Sequence, residues 1–313
     1  MIPERIIGKH IGEDPGPLLI CLAGVHGNEP AGVKALESVF QMLKLEYKIN
    51  PGFRFQGMLL GLRGNRRALK GGDRYMREDL NRLWTTENVE KVRNTPVENL
   101  EDEDLELREL VDVIYQTIDD YQPASIVLMD IHTTSAHGGI FTLVTDDPES
   151  HRIGIELHAP VITGMLAGLE GTTLHYFVAE NFGIETTGIC FEAGQHEEPN
   201  SVKNAIAAII NCMRSIECVS ADDVENKHDE LLIRHSQNLP KVAHLIDKHN
   251  LKRHDKFFML PGYRNFQKVE KNEVLAFDKS GAIRASEDAL ILMPFYQRQG
   301  EDGFFLIKLV EGF

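Results

Sequence analysis

Over the first two-thirds of the chain, short and almost wholly apolar runs alternate with stretches whose apolar residues recur every three or four positions. That is how interleaved strands and helices of an α/β domain read. Pro17 to Gly24 (PLLICLAG) is apolar nearly throughout and ends in glycine, as a central strand buried on both faces does. Pro30 to Leu45 sets Val33, Leu36, Val39, Phe40 and Leu43 at helical spacing. Phe53 to Leu62 predicts a second strand. Leu107, Leu110, Val111, Ile114 and Ile118 form one helical stripe between Leu105 and Ile118. Further strands are expected over Ser125 to Ile131, Ile140 to Thr145 and Thr187 to Phe191, and a helix over Asn204 to Ile216 with Ile206, Ile209, Ile210 and Met213 on one side.

The pattern then changes. Ser220 to Lys227 is polar, a short helix is expected near Glu230 to His235, and beyond it short strands are punctuated by turns. Those turns are Pro261-Gly262, Lys271-Asn272, Lys279-Ser280-Gly281 and Glu301-Asp302-Gly303. The expectation is a large α/β domain over residues 1–222 and a smaller all-β domain over residues 223–313.

Composition excludes several classes. A formal charge of −15 disfavours nucleic acid and anionic lipid as partners. No apolar run approaches the roughly 20 residues of a membrane helix, and the N-terminus lacks the basic start and long apolar stretch of a secretory signal. Four cysteines in 313 residues are no disulfide framework, and Cys21 and Cys190 fall in apolar runs, so a reducing cytoplasm is expected. The charge is uneven: Arg63 to Arg82 holds seven bases against three acids, whereas Thr85 to Asp120 holds twelve acids against three bases.

Three polar motifs follow predicted strands, at the carboxyl ends where open α/β sheets bind their ligands. Gly24-Val25-His26-Gly27-Asn28-Glu29 offers an imidazole and a carboxylate on a glycine-bearing loop. Asp130-Ile131-His132 adds a second imidazole. Two histidines and one glutamate suit one zinc ion per chain and leave a position open for water, as catalytic sites require. Asp130 fits as the acceptor that fixes a ligand histidine's tautomer. Glu192, ending Ile189-Cys190-Phe191, is a carboxylate able to move protons beside such an ion. His137, His151, His158, His175 and His196 read as surface or structural histidines. No phosphate-binding loop and no nucleophile elbow occurs.

GVHGNE, the DLNR of Asp79 to Arg82, the DIHTT of Asp130 to Thr134 and the CFEAG around Glu192 occur in the order seen in the succinylglutamate desuccinylase/aspartoacylase family, which the chain resembles nearly throughout. The resemblance implies a mixed-sheet α/β/α core like that of the zinc carboxypeptidases, followed by a C-terminal β domain. It implies that His26, Glu29 and His132 hold zinc and that Glu192 is the general base and acid. Arg74 would polarise the scissile carbonyl, and Asn81 and Arg82 would grip a substrate carboxylate. The basic segment inside an acidic protein thereby acquires a reason, since a guanidinium binds a carboxylate through two parallel hydrogen bonds.

The chain departs from aspartoacylase where that enzyme holds its substrate's second carboxylate. Phe182 stands in place of an arginine, and Ala193-Gly194 in place of Gly-Pro. A C-terminal tyrosine has Tyr296 only nearby, and Thr134-Ser135-Ala136-His137 lacks the arginine that follows the corresponding desuccinylase motif. The expected reaction is hydrolysis of the amide bond of a small N-acyl amino acid or related carboxylate-bearing amide. Its rivals are a metallocarboxypeptidase acting on peptides and a catalytically silent binding protein of the same fold.

Overall fold

The computed structural model describes residues 2–251 and 254–310. Its strands are β1 (Ile6–Ile11), β2 (Asp14–Ala23), β3 (Gln56–Arg63), β4 (Ser125–Thr134), β5 (Phe141–Val144), β6 (Val161–Thr163) and β7 (Glu185–Gln195), then β8 (Val242–Asn250), β9 (Phe258–Met259), β10 (Gln267–Val269), β11 (Val274–Asp278), β12 (Gly281–Arg284), β13 (Ala289–Leu292) and β14 (Asp302–Leu309). Eleven of them form one mixed sheet in the order β1-β3-β2-β4-β7-β5-β6-β8-β14-β13-β10, and β12-β11-β9 form a small second sheet.

Alternation along β2 explains the layering. Leu19, Cys21 and Ala23 face one core with the helices Ala31–Ile49 and Pro199–Ser215. Leu18, Ile20 and Leu22 face the other, with the helix Asp102–Tyr121. A strand whose successive residues point to opposite faces must be apolar at every position once both faces are covered. Residues Leu18 to Ala23 are fully buried for that reason. The helical stripes expected from spacing are the ones that pack: Val33, Leu36, Val39, Phe40 and Leu43 on one side, Leu107, Leu110, Val111, Ile114 and Ile118 on the other.

The polar stretch near residue 220 does not interrupt the sheet. β8 pairs in parallel with β6 (Val161↔Val242, Ile162↔Ala243), and β14, β13 and β10 continue the same sheet. Among the described residues after 240, short strands alternate with turns and no helix occurs, with a small core around Leu275, Ile291, Phe304 and Leu306. One expected turn is corrected in part: Glu301 lies in a bend, but Asp302 and Gly303 open β14, with Asp302 opposite Asn250 of β8. Gly303 there accommodates close side chains from β8 and its neighbours rather than reversing the chain. β1 has no counterpart in the hydrophobic pattern, because it is an edge strand with one side unpaired and need not be continuously apolar. Among the described residues no helix is long and apolar enough to cross a membrane, and all four cysteines are buried and unbridged.

Candidate active site

β2, β4 and β7 run parallel side by side, so their carboxyl ends meet along one edge. The chain leaves β2 through Gly24, whose φ of 68° favours glycine. It then turns so that Glu29 N–H donates to His26 O at 3.1 Å. Gly27 N–H donates to Arg74 O at 3.0 Å, which ties this turn to the basic loop. A Cβ on Gly27 would lie 2.1 Å from the backbone of Ala68 and 2.4 Å from Asp73 O, so only glycine allows this approach. His132 lies within β4 directly opposite Glu192 of β7. Adjacent strands in register set both side chains on one face of the sheet.

The ligand atoms of His26, Glu29 and His132 lie within 4.8 Å of one another, and all three side chains are buried. Both imidazoles turn Nδ1 toward the Glu29 carboxylate, His26 at 2.9 Å from Oε1 and His132 at 3.2 Å from Oε2. Each turns Nε2 toward an aspartate. His26 Nε2 is 3.0 Å from Asp79 Oδ1. His132 Nε2 is 3.0 Å from Asp130 Oδ2, close enough for charge attraction but out of line for a hydrogen bond. A histidine whose far nitrogen meets a carboxylate is oriented for metal binding. Glu29 Oε2 also accepts from Thr133 N–H at 2.9 Å. Arg74 donates to Glu29 Oε1 and Asp79 Oδ2, each at 3.2 Å, while its Nε is buried without an acceptor. The donor set, two imidazoles and a carboxylate, suits a divalent ion such as zinc.

Charge is divided sharply across this small volume. Burial pushes Glu29 and Asp79 upward, but adjacent cationic groups hold both well below the usual carboxylate range: His26 and His132 for Glu29, His26 and Arg74 for Asp79. Burial opposes charge on His132, yet Asp130 and Glu29 raise its pKa well above the usual imidazole value. Glu192 goes the other way. Burial, with Glu29 and Asp130 as like-charged neighbours, pushes it up to about 8 despite His132 and Arg74, and its Oε2 is buried with no partner.

His26, Glu29, Arg74, His132 and Glu192 line one cavity of about 50 Å³. Asn81 and Arg82 line an adjoining cavity of about 70 Å³ with His26, Arg74, His132 and Glu192. All seven residues expected at the site therefore converge. A roomier cleft of about 810 Å³ beside Ile155, Ile233 and Leu239 has no comparable set of ligand donors. Several residues went unrecognised in the sequence. Asp79 was visible only as the first letter of DLNR; it supports His26 and Arg74 while its Oδ1 accepts from Asn81 N–H at 2.9 Å. His196, read as ordinary, lines the first cavity, with Nδ1 2.8 Å from Thr133 Oγ1 and Nε2 3.2 Å from Gln297 Oε1. Met293 arrives from just past β13, and Asp302 and Phe305 from β14. Tyr296 lines neither cavity and donates its hydroxyl to Leu260 O. Phe182 packs against Tyr176 and Phe177.

Residues 15–216 match the catalytic domain of succinylglutamate desuccinylase/aspartoacylase. The chain belongs to the succinylglutamate desuccinylase/aspartoacylase family. The resemblance carried by its four motifs is thus borne out, and the family is one of hydrolases acting on amide bonds. A probable aspartoacylase of Nostoc sp. is 29% identical over 128 residues, 41% of this chain and 39% of that protein. The succinylglutamate desuccinylase of Pseudomonas putida is 40% identical over 72 residues, 23% of this chain and 20% of that one. The match therefore spans about two-fifths of the length of the Nostoc relative. Among solved structures, succinylglutamate desuccinylase from Vibrio cholerae superposes with a TM-score of 0.62 at 16% identity, covering 94% of this chain and 82% of that one. A point mutant of murine aminoacylase 3 gives 0.58 at 16% identity, with 95% of each chain covered. At such identities the likeness is one of fold.

Proposed function

We propose that this protein is a zinc-dependent hydrolase, one ion per chain, that cleaves the amide bond of a small N-acyl amino acid or related carboxylate-bearing amide. One observation carries the reading: a buried His26–Glu29–His132 set with the unpartnered carboxylate of Glu192 in register beside His132. Those three residues would hold the ion, and bound there zinc supplies Lewis acidity toward a carbonyl oxygen and lowers the pKa of water to about 7. Glu192 takes a proton from the attacking water and delivers it to the departing nitrogen. Its buried oxygen, which has no partner within the chain, stands free for that transfer. Arg74 Nε, buried and without an acceptor, donates to the carbonyl oxygen as negative charge develops there. Asn81 and Arg82 orient the substrate's carboxylate. Residues 223–313 act as a unit that narrows the cavity through Met293, Gln297 and Phe305 and keeps long peptides out.

The test is a panel of N-acetyl, N-succinyl and N-formyl amino acids alongside short peptides, with metal content measured on the same sample. Cleavage of the small amides supports the reading, whereas preference for peptides would make the protein a carboxypeptidase. A folded protein that takes up no zinc would leave only a binding role. Glu192→Gln should retain zinc and lose kcat by at least about a hundredfold. Substantial turnover by that variant refutes the role given to Glu192.

A further inference from the structure

The cavity beside the His26–Glu29–His132 cluster has Leu143, Met165, Leu166, Leu169, Met293 and Phe305 in its lining, with Thr172 and Thr173 among the polar residues. Of these, Leu143, Met165 and Phe305 are buried. Met293 adopts φ 51°, a conformation uncommon for a side chain of its kind. Asn265 maintains it there: its Oδ1 accepts from Met293 N–H at 2.7 Å, while its Nδ2 donates to Thr134 Oγ1 at 3.1 Å. The strand bearing His132 thus fixes where Met293 stands.

Arg82, the guanidinium at this cavity's edge, already donates from both terminal nitrogens to acceptors within the chain. Nη2 donates to Asp302 Oδ2 at 2.6 Å, Nη1 donates to Asn81 O at 2.7 Å, and Nε is 3.6 Å from Glu301 Oε2. Asp302 is itself held by Lys248, whose Nζ is 2.8 Å from Oδ1 and also donates to Gly168 O at 2.6 Å. Around the two cavities stand the carboxylates of Glu29, Asp130, Glu301 and Asp302, and the guanidiniums that line them are those of Arg74 and Arg82. One substrate carboxylate can share Arg82 with Asp302 or meet the Asn81 amide; a second finds no free cation and an apolar wall, where an unpaired charge is costly to bury.

We infer that the subsite accepts an apolar side chain or acyl chain and rejects a second carboxylate, with Asp302 as a specificity-determining residue. This rests on the amide-hydrolase reading for its substrates but not for its binding preference. With zinc-loaded protein, kcat/KM for N-acetylleucine and N-acetylmethionine should exceed that for N-acetylaspartate and N-succinylglutamate by about tenfold or more. Asp302→Asn should narrow that gap, mainly by lowering KM for the dicarboxylates. Preference of the wild type for either dicarboxylate overturns the inference while leaving the amide-hydrolase reading intact. If none of these amides is hydrolysed, that reading fails, and calorimetry with hexanoate and glutarate on the zinc-loaded protein still decides the subsite. Tighter hexanoate supports it; tighter glutarate overturns it. The wild-type comparison and the calorimetry stand even if the Asp302 variant does not fold.

Discussion

Glu29 and Glu192 are buried to nearly the same depth, 2% and 4% exposed, yet hold their protons differently. Glu29 is surrounded by two imidazoles, the Arg74 guanidinium and Thr133 N–H, all of which favour its anion. Glu192 keeps an unpartnered oxygen and has carboxylates among its neighbours, which favours the acid. Environments that separate two carboxyls in this way suit the roles proposed for them, Glu29 holding a cation and Glu192 moving protons. Asp79 acts through His26, whose Nε2 lies 3.0 Å from its Oδ1. Asp79→Ala should weaken zinc binding by about ten- to a hundredfold through loss of the partner that orients His26. Titration against a competing chelator measures this, and an unchanged affinity would mean that His26 needs no such partner.

The loop after β2 depends on backbone proximity as much as on its ligands. Gly27 lies against the carbonyls of Ala68 and Asp73, and its N–H is bonded to Arg74 O. Gly27→Ala would drive a methyl group into backbone that cannot swing aside. A stability loss of about 1–3 kcal/mol is expected, with the turn bearing His26 and Glu29 displaced and zinc content reduced. Urea unfolding and metal analysis of one preparation test both parts. The opening of β14 has a comparable reach. Because Asp302 begins a strand instead of sitting in a turn, its carboxylate is delivered to Arg82, 220 positions earlier in the chain.

Across the molecule, the N-terminal residues are anchored to the acidic helix by a network around Glu106. Arg5 pairs with Glu106 and reaches Glu109 Oε2 at 2.9 Å, and Arg67 pairs with Glu106 at 2.5 Å. Burial raises the Glu106 pKa, but Arg5 and Arg66 outweigh it and hold the carboxyl below its usual value. A depressed folded-state pKa means the stabilisation is complete above the unfolded value, about 4.3, and is lost as pH falls through the lower folded value. Glu106→Gln should therefore cost stability at pH 7, by about 3 kcal/mol if the arginines are left unpaired. It should also lose less on acidification below about pH 4 than the wild type does. Urea melts at pH 7 and pH 3.5 check this; parallel losses in both proteins would count against it.

Much of this organisation was legible in the residues themselves. Strands covered on both faces must be apolar at successive positions, so Leu18 to Ala23 and Ile126 to Met129 announced themselves, as did the helices that cover them. The polar residues that interrupt such runs, His26, Glu29, His132 and Glu192, were conspicuous because nothing in a core calls for them. What could not be read was whatever depends on which strand lies beside which. The parallel pairing of β8 with β6 carries the C-terminal strands into the main sheet, and no local pattern encodes that Val161 will stand beside Val242. The same pairing brings Asp302, Met293 and Phe305 to the His26–Glu29–His132 cluster, while the pairing of β4 with β7 sets His196 beside Thr133. Chemical capacity thus resides in side chains visible one at a time, whereas selectivity is made by contacts between segments distant in the chain, which only the folded arrangement creates.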